Sequence, residues 1–199
     1  MNSTIKMDLF VEDRAHEEFI LAMLLRLANQ ERKAITPRVR SSRGGHGQAL
    51  SELSTYLVSV SKGIAGMDMP ELLVVAIDAN CKAFNIAHRE IESRIGEPYK
   101  NRTIIACPDP HIERWFLADP DSLVKIFGHR PKVGRKKCQR DHYKSILLRA
   151  LIQAGYLPTL GGIEFAREIV EAMDLYRASK AERSLKHFLD DATKMFKTI

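Results

Sequence analysis

No stretch of this 199-residue sequence approaches the roughly 20 apolar residues that a membrane helix needs. The N-terminus lacks a charged segment followed by a long apolar run, so no signal peptide is expected and a cytoplasmic chain is. Cysteine is scarce. Cys81, Cys107 and Cys138 are odd in number and widely spaced, which argues against a disulfide framework. Two of them open a C-x-x-x-H pattern, Cys107 with His111 and Cys138 with His142. Those four could make a tetrahedral zinc site; the competing reading is a thiol buried at a strand end. Internal repeats and low-complexity segments are also missing, which removes repeat architectures and leaves one large domain or a domain with an appendage.

What is present is ordinary in amount and uneven in place. The chain is 45% hydrophobic and 28% charged, enough for a normal core. The net charge of +6 and a pI near 9.3 favour polyanionic partners. The positive charge gathers in "GHRPKVGRKKCQRDHYK" (128–144), where Arg130, Lys132, Arg135, Lys136, Lys137, Arg140 and Lys144 face one acid, Asp141. Gly128, Pro131 and Gly134 mark the segment as a loop. It reads either as a solvated loop or as a surface for a nucleic-acid backbone. Arg43, in the flexible loop "SSRGGHGQ" (41–48), could contact phosphate, and His46 beside it is the loop histidine to follow.

The hydrophobic pattern alternates. "TIKMDLFVE" (4–12) predicts a strand and 13–32 a helix with a broad apolar face. "AITPRVR" (34–40) predicts a strand confined to an edge by Pro37. A helix follows over 49–64, then the clearest strand, 71–77. A third helix spans 84–96 with Gly96 as C-cap, and a fourth strand spans 102–108. This β-α-β-α-β-α-β order predicts an α/β fold with a mostly parallel four-stranded sheet flanked by helices. Residues 1–127 form that core. Residues 128–199 form the basic loop and a helical extension packed on it, with helices expected in 143–156, "EFAREIVEAMDLYRA" and "ERSLKHFLDDATKMF".

Parallel sheets bind ligands beyond the C-terminal ends of their strands. Three of the four predicted strands deliver acids there: Glu12; Asp78, with Asn80 beyond; and Asp109, with Glu113 one helical turn later. Clustered acids repel unless a cation joins them, and oxygen-rich, thiol-poor sets suit Mg²⁺ or Mn²⁺. The bland roles are a helix cap or Arg14 partner for Glu12, a turn residue for Asp109 and a first-turn acid for Glu113. Trp115 and Phe116 read as core, and Asp119 as the cap of a helix that starts at Pro120.

"LFVEDRAHEEF" and "VVAIDANC" resemble the first two motifs of TOPRIM domains, which occur in topoisomerases, primases and OLD-type nucleases. More closely, the chain is similar to small TOPRIM-like proteins linked to phage defence, whose third motif resembles "PDPHIERWFLADP" and whose terminal helices resemble 172–196. The resemblance covers nearly the whole chain and implies a TOPRIM/Rossmann-like core. It also implies metal-dependent hydrolysis of nucleic-acid phosphodiester bonds by an endonuclease in anti-phage defence. Its implied catalytic set is Glu12, Asp78 and Glu113, and its metal ligands are Glu12, Asp78, Asn80 and Glu113 for Mg²⁺ or Mn²⁺. Arg43, Arg130, Lys132, Arg135, Lys136, Lys137 and Arg140 would hold DNA or RNA. An ABC-type ATPase and a second copy of the chain, as a homodimer, are the expected protein partners. The sequence departs from the pattern at Asp13 (usually Gly), at His16 (usually a second acid) and at Asn80 (usually Asp). Those departures support an alternative: a non-catalytic nucleic-acid-binding or regulatory subunit of an ATPase-containing complex, with a degenerate metal site. A receiver-like switch with Asp78 as phosphoacceptor ranks last, because "IIACPDP" lacks the lysine it needs.

Overall fold

"LLVVA", Leu72–Ala76, is buried at all five positions, as a strand covered on both faces must be. In the computed structural model, which describes residues 4–42, 44–64 and 68–199, it is β3, an inner strand of a four-stranded sheet. The others are β1 (Ile5–Val11), β2 (Ile35–Ser41) and β4 (Thr103–Ala106), in the order β2-β1-β3-β4. All pairings are parallel, with Ile5 opposite Ile35, Met7 opposite Leu72 and Leu73 opposite Thr103. Pro37 lies on edge strand β2, where a residue without an N–H disturbs the ladder least.

The sheet separates two hydrophobic cores by simple alternation. Leu9, Val11, Val74 and Ala106 face α1 (Arg14–Gln30) and the helices that follow the sheet. Phe10, Leu73, Val75 and Ile105 face α2 (His46–Ser61) and α3 (Phe84–Glu92), through Leu53, Leu57, Ala87 and Ile91. A buried acid, Asp8, sits on this second face. It receives Arg38 Nε at 2.6 Å and Nη2 at 3.0 Å, and also the hydroxyl of Tyr56.

After α4 (Glu97–Lys100) and β4, the chain is helical: α5 (Glu113–Phe116), α6 (Pro120–Phe127), α7 (His142–Gln153), α8 (Ala166–Ala172), α9 (Leu175–Ala181) and α10 (Arg183–Thr198). α8 packs on α1, and α10 packs on β4 and α1, so the extension shares the first core with the sheet. Trp115 and Phe116 are core residues; Trp115 stacks on Phe188 and donates its indole N–H to Ser184 Oγ at 2.9 Å. Among the described residues, no helix is long and apolar enough to cross a membrane.

Three boundaries differ from the sequence-based expectation. α2 begins at His46, so that histidine lies in the first turn of a helix and not in a loop. α3 stops at Glu92, and Gly96 (φ −72°) is the N-cap of α4 instead of a C-cap, because Pro98 fits only the first turn of a new helix. "EFAREIVEAMDLYRA" breaks after Ala172: Met173 is extended, and Asp174 starts α9 by accepting the N–H groups of Tyr176 and Arg177, both at 3.0 Å.

Candidate metal centre at the sheet edge

Parallel pairing puts the four strand ends on one edge. Glu12 follows the last residue of β1, and its N–H bonds to Ala76 O at 2.9 Å. Its carboxylate Oε2 accepts the N–H of Asp78 at 3.1 Å. The acids that leave β1 and β3 are therefore adjacent.

Asp13 is the N-cap of α1, accepting the His16 N–H at 3.1 Å. The N3 position is the one from which a side chain reaches back to its cap. His16 occupies it, with Nδ1 2.7 Å from Asp13 Oδ1, and its opposite nitrogen, Nε2, lies 3.0 Å from Asp78 Oδ1. The other oxygen of Asp78, Oδ2, lies 3.0 Å from His111 Nδ1. One carboxylate is thus held between two imidazoles, one of them fully buried.

Burial alone would lower the His16 pKa, but the charges of Asp78 and Asp13 outweigh it and hold it well above the usual imidazole range. Burial would likewise raise Asp13, yet its bonds to His16 bring it down to about 2. Burial pushes Glu12 up, opposed by His16 and reinforced by Asp78. Glu113, at the start of α5, is also raised by burial and by the charge of Asp78, so it belongs to the same electrostatic cluster. The bond to Asp78 raises His111.

His46 approaches from α2. Its Nδ1 is 4.0 Å from Glu12 Oε2 and its Nε2 is 3.9 Å from Glu90 Oε2, an acid of α3 that pairs with Lys82. Those gaps are too long for hydrogen bonds. Both ring nitrogens of His46 and Nε2 of His111 are buried without a hydrogen-bond partner. Glu12, His16 and Asp78 each bring a ligand atom within 4.8 Å of the others. The orphaned nitrogens of His46 and His111 beside the Glu12 and Asp78 carboxylates fit a divalent cation, whereas His16 would join such a site only by giving up its proton to the ion at Nε2, with Asp13 then as the outer carboxylate on Nδ1.

Of the expected ligands Asn80 lies apart, and the nearby acids Asp109 and Asp119 have partners of their own. Asn80 is exposed in left-handed backbone (φ +46°), its N–H bonded to Pro110 O at 3.2 Å, and it is not part of the Glu12–His16–Asp78 group. Asp109 points to Lys136 Nζ at 2.8 Å. Asp119 is the N-cap of α6 by position, but its side chain accepts the Asp174 N–H at 2.8 Å and Arg177 at 3.1 and 3.0 Å.

Against the expectation from cysteine spacing, Cys81 and Cys138 form a disulfide, with Cα atoms 5.5 Å apart. Their separation of 57 positions measures chain length, while folding brings the β3 exit and the basic loop together. The bridge removes Cys138 from any zinc set. Cys107 is a buried thiol at the end of β4, raised by burial. Arg130, Lys132, Arg135, Lys136, Lys137 and Arg140 are all exposed on this tethered loop. Arg130 pairs with Asp121 and Lys136 with Asp109, whereas among the described residues Lys132, Arg135 and Lys137 make no ion pair. Arg43 lies outside the described residues.

A family model described as "Domain of unknown function (DUF4276)" matches residues 11–191. The chain belongs to the DUF4276 family. No curated protein and no solved structure matches it. The DUF4276 match starts at Val11, one residue before Glu12, and takes in the whole acidic centre and the basic loop.

Sequence reasoning missed His111 and Glu90 as parts of this centre and took His16 only as a departure from a motif. The available signal was D-x-x-H at a helix start, which aims an imidazole back at its own cap.

Proposed function

We propose that this DUF4276 chain is a divalent-metal-dependent nuclease of TOPRIM-like type, acting on DNA or RNA in anti-phage defence. The observation that carries the reading is the convergence of Glu12 and Asp78 on buried imidazole nitrogens at the C-terminal sheet edge, beside a tethered basic loop. Glu12, Asp78 and His16 would hold the ion, which supplies charge stabilisation at a phosphoryl oxygen when bound. Asp13 orients His16, and His111 fixes the second oxygen of Asp78. Glu12 and Glu113, both raised by burial, are the carboxyls of the site best suited to hold or pass a proton. Lys132, Arg135 and Lys137, which make no ion pair among the described residues, are placed to meet the nucleic-acid backbone. The imidazoles favour Mn²⁺ over Mg²⁺.

A second reading is favoured by one observation: His16 already compensates Asp78 and Asp13 without any ion. On that reading the chain binds nucleic acid as the regulatory subunit of an ABC-type ATPase and cuts nothing.

Incubation of the purified chain with single- and double-stranded DNA and with RNA, in Mg²⁺ or Mn²⁺, separates the two. Cutting that Asp78→Ala and Glu12→Ala each abolish, in proteins of unchanged circular dichroism, is the expected result. Failure to cut any substrate, together with no Mn²⁺ heat in titration calorimetry, overturns the nuclease reading. Reversing Arg135, Lys136 and Lys137 to glutamate should weaken binding and flatten its salt dependence by up to about three counterions.

A further inference from the structure

α3 and α10 repeat one spacing: His88 and Glu92 are four residues apart, and so are His187 and Asp191. That interval places both members of a pair on one helix face. The two faces meet. The rings of His88 and His187 lie 4.9 Å apart, edge to face, and Phe84 packs on both, at 5.6 and 5.5 Å. His187 Nδ1 is 3.1 Å from Asp191 Oδ2. His88, His187 and Asp191 each bring one ligand atom within 4.8 Å of the others. His88 Nε2 is buried without a hydrogen-bond partner. His88, Glu92 and Asp191 line one cavity of about 180 Å³, with Lys100, the partner of Glu97, at its wall.

We propose that His88, His187 and Asp191 form a second metal centre, for a divalent transition-metal ion of the Zn²⁺ class, that ties α10 to α3. Two imidazoles and one carboxylate are a three-ligand set for Zn²⁺ and leave a fourth position for water, with Glu92 on the same cavity as the alternative occupant. Imidazole donors select against Mg²⁺ and Ca²⁺. The centre shares no residue with the sheet-edge site and does not rest on the nuclease reading. Its ion would clasp the last helix to the helix that carries Glu90, the acid facing His46.

The test uses the full chain with Co²⁺ and Zn²⁺. His187 and Asp191 are nearly half-exposed, at 43% and 46%, so their replacement leaves the core untouched. In a Glu12→Ala/Asp78→Ala background, one Co²⁺ equivalent should remain, with the visible absorption of imidazole-bound Co²⁺, and Zn²⁺ should raise Tm. Adding His187→Ala and Asp191→Ala should remove the absorption and the Tm shift and weaken affinity more than about tenfold. In the otherwise wild-type chain the same pair should cost one equivalent. No Co²⁺ bound in the Glu12→Ala/Asp78→Ala protein, or undiminished binding after His187→Ala and Asp191→Ala, overturns the proposal.

Discussion

His16 is the hinge of the sheet-edge site, and its removal has a calculable cost. It is fully buried and lies 3.0 Å from Asp78, whose side chain is 12% exposed. Two unit charges at that distance attract by about 5.5 kcal/mol at an effective dielectric of ~20. Desolvation takes back part of this, so His16→Ala, which strands Asp78 with His111 alone, should cost about 3–5 kcal/mol. Asp78→Asn removes the charge that His16 answers. In that background His16→Ala loses packing and a neutral contact, and the two changes should couple by about 2 kcal/mol, within the ~0.5–3 kcal/mol seen for residues in contact. Urea unfolding of wild type, both single variants and the double variant, at about pH 6 with a chelator present, measures the cycle without metal. Additivity within about 0.5 kcal/mol would refute the claim that His16 and Asp78 form a charged pair.

Two further perturbations test the frame around the site. The Cys81–Cys138 bridge closes a loop of 57 residues, so Cys138→Ser, compared with the oxidised wild type, should lose up to about 4 kcal/mol in chemical unfolding and free the basic loop to limited proteolysis. An unchanged midpoint and cleavage pattern would count against the bridge. Asp119 is 1% exposed and accepts three bonds, so Asp119→Ala should cost about 3 kcal/mol. Burial would raise its pKa, but Arg177 and the Asp174 N–H outweigh it and depress the folded value below 3.8. Its contribution is therefore present in full above that unfolded value and lost as pH falls through the folded one. The Asp119→Ala penalty should shrink in acid; a penalty that stays constant from neutral to strongly acidic pH would show that charge plays no part.

The strands and their order of appearance were legible because burial on both faces leaves runs such as Leu72–Ala76 with no polar position. The acids at the strand ends were legible for the same reason: a parallel sheet makes every strand exit a shared edge. What was hidden is contact at long range. His16 meets Asp78 across 62 residues and His111 meets it across 33, and no spacing rule links them. The disulfide was hidden likewise, since cysteine count and interval say nothing of where two loops meet. Helix ends went wrong where a single residue decides, as at Gly96, where Pro98 makes the glycine an entrance and not an exit.

The hidden histidines change the chemistry expected of the edge. A set of Glu12, Asp78, Asn80 and Glu113 is all oxygen, which suits Mg²⁺ with its octahedral shell and retained waters. The fold leaves Asn80 exposed and brings His16, His46 and His111 inward, so an ion held at this edge would meet mixed donors. Imidazoles are poor partners for Mg²⁺ and better ones for Mn²⁺ and later metals. On the proposed reading, an asparagine at position 80 does not by itself argue for a dead site, because His16 on α1, with Asp13 behind it, could supply the ligation expected there. A nuclease built this way should work better with Mn²⁺ than with Mg²⁺. A site that keeps His16 only as a permanent counter-ion to Asp78 should bind neither. The rank order of metals thus tells an altered centre from an abandoned one.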